Sequence, residues 1–148
     1  MSWVPHITVA CVVKKGNKFL LVEEYVDGKE VINQPAGHLE EWETLPEACI
    51  RETLEETKWN IEPVSLLGIY QYRKKNDQHM YLRFAFSAKL LNETKNELDK
   101  KIIRVVWLSR DEIAALPENK LRSPMVLKCI DDHIAGINYP MSICIDMQ

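Results

Sequence analysis

The chain has 148 residues, 46% of them hydrophobic, enough for one well-buried domain over 1–148 and too few for two. Its formal charge of −3 leaves no basic footprint, which weighs against a long nucleic acid held by its backbone and leaves small anions, bound locally, as the expected partners. No apolar run approaches the roughly 20 residues that cross a bilayer and no basic leader opens the chain, so Cys11, Cys49, Cys129 and Cys144, without C-x-x-C or zinc spacing, read as reduced cytoplasmic thiols.

In chain order, His6–Val13 and Phe19–Glu23 read as strands around Lys14–Lys18, forming a hairpin, and Asp27-Gly28 marks a later turn. Gln34-Pro35-Ala36-Gly37 reads as a tight loop whose glycine lets backbone groups approach an ion or phosphate. A helix starts just after Glu43: Thr44 is the N-cap, Pro46 falls in the first turn, and Glu47 completes a capping box. Leu45, Cys49 and Thr53, with Ile50 beside them, supply its buried face. Leu66–Arg73 and Met80–Leu90 form a second hairpin across the polar 74–78 loop, and Ile102–Leu108 is a further strand. Ser109 with Glu112 opens a short helix that stops near Pro117. Ser123-Pro124 opens a last one, Met125 to Ala135, ended by Gly136. Strands with few helices predict an α+β sandwich, a mixed sheet covered by helices.

The densest chemistry lies on the first helix. At about 100° per residue, Glu52, Glu55 and Glu56 fall within an arc of about 100°. Three carboxylates on one stripe repel each other and invite a compensating charge, and a hard divalent cation with oxygen ligands supplies it. Mg²⁺ is the first candidate, with a backbone oxygen of Gly37 as a further ligand. An acidic run on a helix is more often a solvated face, and a lone RExxEE would favour that reading.

The full register decides between them. Gly37, Glu43, Arg51-Glu52 and Glu55-Glu56, within GHLEEWETLPEACIRETLEETKW over 37–59, resemble the Nudix box, the signature of hydrolases that split a nucleoside diphosphate linked to another group. Two positions depart from the pattern: Thr53 stands where a bulky aliphatic is usual, and Lys58 where a glycine is. The resemblance implies a Nudix-type α/β/α sandwich with a mixed central sheet and an enzyme dependent on Mg²⁺, for which Mn²⁺ can substitute. It also implies a metal site of Gly37, Glu52, Glu55 and Glu56, and a fork, Arg51, that orients a box carboxylate such as Glu43. Glu52 is the favoured base, with an exchange of roles between Glu52 and Glu56 left open.

Segments outside the box narrow the resemblance. His6–Val13, Asn33–Glu40, Leu82-Arg83-Phe84, Leu121–Pro124 and Tyr139-Pro140 resemble a phosphatase subgroup of that family. Members remove terminal orthophosphate from nucleoside tri- and diphosphates and from small diphosphates such as thiamine pyrophosphate. Gln34, Arg83 and Arg122 are expected to bind substrate, Arg83 from the strand face it shares with Tyr81 and Ala85, and the chain is expected to be a monomer. Arg83 also reads as a solvated strand arginine, and Arg122-Ser123-Pro124 as a helix cap. His6 could touch substrate, and Trp42, Tyr70 or Tyr72 could stack on a planar ring, although aromatics at strand spacing are more often core. Two other readings stand beside this one: a hydrolase that cuts internally, as in nucleotide sugars or dinucleoside polyphosphates, and a nucleotide-sensing module without catalysis.

Overall fold

The computed structural model describes residues 3–75 and 78–147. Its strands are β1 (His6–Val12), β2 (Lys14–Lys15), β3 (Lys18–Val26), β4 (Lys29–Asn33), β5 (Ala36–His38), β6 (Trp59–Arg73), β7 (Met80–Glu93) and β8 (Ile102–Ser109). Its helices are α1 (Leu45–Thr57), α2 (Arg110–Ala114) and α3 (Met125–Ile134). One sheet runs β5-β1-β7-β6, and it is mixed because β1 pairs parallel with β7 and antiparallel with β5. The second is antiparallel around β3, which pairs with β2, β4 and β8.

The expected hairpin between His6–Val13 and Phe19–Glu23 is instead a corner between sheets. Both runs are buried along most of their length, so neither is a surface strand of a simple hairpin. Gly16, at φ 63°, turns the chain, the two-residue β2 takes the pairing with β3, and β1 passes into the other sheet. The Asp27-Gly28 turn does make a hairpin, between β3 and β4, with positive φ at both residues as a two-residue type I′ turn requires. The second hairpin pairs β6 with β7, but β6 begins at Trp59 rather than Leu66 and β7 runs on to Glu93. Register shifts between Trp59 and Ile61, Pro63 and Ser65, and Leu66 and Gly68 break the two-residue alternation and hide this half of the strand from the sequence. Residues 76 and 77 of the expected 74–78 loop lie outside the described residues.

Helix α1 forms where its caps place it. Thr44 Oγ1 accepts from the Glu47 amide at 3.2 Å and Glu47 Oε1 from the Thr44 amide at 3.0 Å. It ends at Lys58, whose φ of 70° turns the chain into β6 while its amide donates to Leu54 O at 2.9 Å. The buried face is Ala48, Cys49, Thr53 and Thr57, with Glu52 and Glu56 beside them. Ile50, expected there, is 37% exposed because it falls at the outer flank of that face, just beyond Thr57. Ser123 Oγ accepts from the Met125 amide at 3.1 Å at the start of α3, and Gly136, at φ 79°, follows its end.

The two faces of the mixed sheet feed two cores. Val9, Cys11 and Phe86 pack with Ala48 and Cys49 of α1, together with Leu20, Ile61 and Leu66. Ala10, Val12 and Ala85 pack with Val126, Cys129 and Ile130 of α3, together with Phe19, Leu21 and Ile32. Helix therefore covers each side of the sheets, the expected mixed α+β sandwich. Among the described residues, no helix is long and apolar enough to cross a membrane.

Candidate active site

Gly37 lies within β5, paired with Val9, rather than in the expected loop. Its backbone needs no left-handed conformation; the constraint is space. A methyl placed on its Cα would collide with all three atoms of the Glu52 carboxyl group. The sheet edge and the acidic side of α1 are thus in direct apposition at one glycine. Arg51 fixes the carboxylates around this point. Its Nε and Nη2 donate to Glu43 at 2.6 and 3.0 Å in a bidentate fork, and Nη1 donates to Glu52 Oε1 at 2.7 Å. Nη1 also reaches Glu55 Oε2 at 3.4 Å, and Nη2 the carbonyl of His38 at 3.1 Å. Hydrogen bonds from Arg51 hold Glu43 below the ordinary carboxylate pKa, while burial pushes Glu52 upward against the pull of the same arginine.

Glu56 is 1% exposed and accepts from the Ala36 amide at 3.0 Å through Oε1. Its Oε2 is buried without a well-directed hydrogen bond; the nearest cation is Lys101, with Nζ at 3.1 Å. Burial pushes Glu56 up to about 8 despite Lys101 and the Ala36 amide. Burial also works against the Lys101 ammonium, but Glu56, Glu52 and Glu24 hold its pKa above the ordinary lysine value. Glu55 lies on the outer flank, half-exposed. Among the described residues, no three His, Cys, Asp or Glu side chains already converge as a ready cage. Instead the chain's own cations draw the carboxylates apart, Arg51 toward Glu52 and Glu55, Lys101 toward Glu56. The donors are nonetheless all hard oxygens, and an under-satisfied buried carboxylate oxygen is what a divalent cation would relieve, so this edge fits such an ion.

A cleft of roughly 450 Å³ opens beside it, lined by Gly37, Lys101, Arg83 and Arg122 among others. Arg83 is no solvated strand arginine: it is 3% exposed. Tyr70, Arg83, Thr8 and His38 lie in one row across β6, β7, β1 and β5, which turns the arginine toward the same side as the β5 end. Its Nη1 donates to Gln34 Oε1 at 2.8 Å and its Nη2 to Asn33 Oδ1 at 3.0 Å, while Nε is buried without a partner. Among the described residues, no carboxylate pairs with it. A buried charge left to neutral acceptors is costly, so the cleft is built to receive an anion there.

Gln34, expected to bind substrate, requires correction. It is 1% exposed, and with its oxygen on Arg83 and its Nε2 donating to Val126 O at 2.7 Å it has no end free for a ligand. Its side-chain oxygen meets Arg83 instead. Arg122 lines the cleft, its amide donating to Ile32 O at 2.8 Å and its Nε lying 4.0 Å from Glu24 Oε1. Of the aromatics, Tyr72 lines the cleft with Tyr25 and Tyr81, whereas the Tyr70 hydroxyl donates to Asp132 at 2.7 Å, and Trp42, 82% exposed, does not line the cleft. His6 Nδ1 lies 2.9 Å from His38 Nε2 at the rim. Lys101 and Asn33 carry no local signal that marks them as site residues. Lys101 sits in a charged run with nothing to single it out, and Asn33 is legible only once Arg83 is known to be buried.

Comparison with known proteins agrees with this geometry. The family model described as "NUDIX domain" matches residues 4–129. The chain is 41% identical over 145 residues to "Phosphatase NudJ" of Escherichia coli K12, covering 97% of this chain and 93% of the relative, and matches its counterpart from Shigella flexneri equally. Among solved structures, a NUDIX hydrolase from Nitrosomonas europaea is 42% identical with a TM-score of 0.92, covering 97% of both chains. A UDP-X diphosphatase at 20% identity and a TM-score of 0.72, covering 95% of this chain and 68% of its own, shares the fold. The apposed glycine and acidic helix edge, the buried cleft arginine and the matched span agree: this chain is an enzyme of the NUDIX hydrolase family.

Proposed function

We propose that the enzyme is a Mg²⁺-dependent phosphatase that releases orthophosphate from nucleoside tri- and diphosphates and from small diphosphates such as thiamine pyrophosphate. The observation that carries this reading is Arg83, a buried guanidinium with only neutral partners, facing the cleft that is also lined by Gly37, under the Glu52 carboxyl, and by Lys101, the partner of Glu56. An arginine so placed suits a terminal phosphate, and the likeness to proteins named Phosphatase NudJ supports the same choice.

Glu52, Glu55, Glu56 and the Gly37 carbonyl are the groups that would hold Mg²⁺, or Mn²⁺ in its place. When bound, such an ion neutralises phosphate oxygens and makes water a competent nucleophile near neutral pH. The chain's own residues do the rest. Gln34 and Asn33 fix the Arg83 fork so that its charge meets the terminal phosphoryl group without reorganisation, and Arg122 adds a second cation. Arg51 holds Glu52 over Gly37, from where it takes the proton of the attacking water. The base or thiazole is left to the tyrosines of the cleft, so one phosphate clamp serves several substrates.

The test is product analysis with Mg²⁺ and a panel of nucleotides and thiamine pyrophosphate, measuring orthophosphate and pyrophosphate separately. A triphosphate should yield orthophosphate and the diphosphate first, then the monophosphate. Pyrophosphate as the main initial product would assign the enzyme to internal cutting.

A further inference from the structure

Lys101 is held in place by the helix that carries the carboxylates. Its amide donates to Asp99 Oδ1 at 3.0 Å, the Ile102 amide to Asp99 O at 3.0 Å, and the Asp99 amide to Glu55 O in α1 at 2.9 Å. The turn over 99–102 is therefore fastened to the C-terminal end of α1, and the lysine stem leaves it toward the acidic edge. There its Nζ lies 3.1 Å from the Glu56 oxygen that no hydrogen bond satisfies. Glu52 and Glu24 are its other electrostatic partners. The side chain is nevertheless half-exposed and borders the cleft with Arg83 and Arg122. A compact ammonium on a flexible four-carbon stem can exchange between such neighbouring positions, where a guanidinium fork could not do so as freely.

We propose that Lys101 is a resident counter-ion that competes with the divalent cation for Glu56, and that on loading it passes from Glu56 to the phosphate of the substrate. The proposal rests on the reading that Glu56 helps to hold the ion. A divalent cation and an ammonium cannot share one buried carboxylate oxygen without strong repulsion, so the lysine must leave as the ion enters. The cleft is the open side. In it the displaced ammonium joins Arg83 and Arg122 as a third positive group for an anionic substrate, so ion binding also completes the phosphate site.

The experiment is calorimetric titration of Mn²⁺ into the substrate-free protein, comparing wild type with Lys101→Met, Lys101→Arg and Glu56→Gln, alongside KM and kcat. Lys101→Met should bind Mn²⁺ about tenfold more tightly than wild type, the scale at which groups next to a metal site tune affinity, and Lys101→Arg, which keeps the charge but leaves Glu56 less freely, should bind it no more tightly than wild type. KM for a nucleoside diphosphate should rise in Lys101→Met by a larger factor than kcat falls. Unchanged or weaker Mn²⁺ affinity in Lys101→Met overturns the competition, and an unchanged KM overturns the transfer to phosphate. If Lys101→Met is unfolded by circular dichroism, Lys101→Gln takes its place with the same expectations. Wild-type affinity retained in Glu56→Gln would remove the metal reading together with the proposal, and is distinguishable because it does not involve Lys101 at all.

Discussion

At the scale of single residues, the site turns on the contact between Gly37 and Glu52. The glycine is demanded by the carboxyl group over its Cα and not by backbone angles, so Gly37→Ala should force Glu52 out of position. We expect kcat/KM to fall at least about a hundredfold and the melting temperature to drop. The double variant Gly37→Ala/Glu52→Ala should regain stability without regaining rate, because the collision is removed along with the carboxylate. A double variant no more stable than Gly37→Ala would place the strain elsewhere. Glu55 and Glu56 differ in environment but are assigned one task, so Glu55→Gln and Glu56→Gln should each lower activity at least about a hundredfold at saturating Mg²⁺. Glu55 is half-exposed, so its substitution should leave the melting temperature near that of wild type. Mg²⁺ should raise the melting temperature of the wild type and raise it less in Glu56→Gln. Near-native rates in both variants would remove them from the ion's ligands.

At the scale of elements, the ends of α1 carry the clearest test. Lys58 holds φ at 70°, a conformation that costs a side chain of L configuration roughly 1 kcal/mol, and its amide closes the last turn on Leu54. Lys58→Gly should therefore raise stability by up to about 1 kcal/mol in urea unfolding while leaving kcat/KM alone, since the carboxylates lie earlier on the helix. A large rate change at unchanged stability would mean that the Lys58 ammonium helps to hold substrate. The start of this helix was legible from sequence because a capping box is a local signal, written in adjacent residues, whereas its left-handed stop falls on a lysine in place of the glycine that would have announced it. The join between β1 and β3 was not legible. Which sheet a doubly buried strand enters depends on partners far along the chain, and Tyr81–Ser87 could not be recognised as the parallel neighbour of β1 from either segment alone. The same separation explains the site. Glu52, Glu56 and Arg51 share one helix and could be read together, whereas Lys101 reaches Glu56 across 45 positions of sequence, through the turn before β8.

At the scale of the whole molecule, one carboxylate ties together parts of the fold that carry the cleft. Glu23 of β3 accepts from Arg104 of β8 at 2.9 Å and from Lys120, in the segment leading to Arg122, at 2.6 Å. The bond from Lys120 lowers the Glu23 pKa, against the opposing effect of burial, and Arg104 lowers it further. A carboxylate whose folded pKa lies below its unfolded value, about 4.3 for glutamate, binds protons more readily in the unfolded chain. Its contribution is therefore fully present above about 4.3 and is lost as pH falls through the depressed folded value. Glu23→Gln should be less stable than wild type at pH 7, with the gap narrowing as the solution is acidified below about 4.3, in urea unfolding followed at a series of pH values. The loosening should also reach the cleft, because Leu121 bridges to Ile32 next to Lys120 and Arg122 follows directly. At neutral pH, KM in Glu23→Gln should thus rise more than kcat falls. A stability gap that stays constant down to acid pH would mean that Glu23 acts by packing, and an unchanged KM would mean that Arg122 is held by its own backbone bond to Ile32.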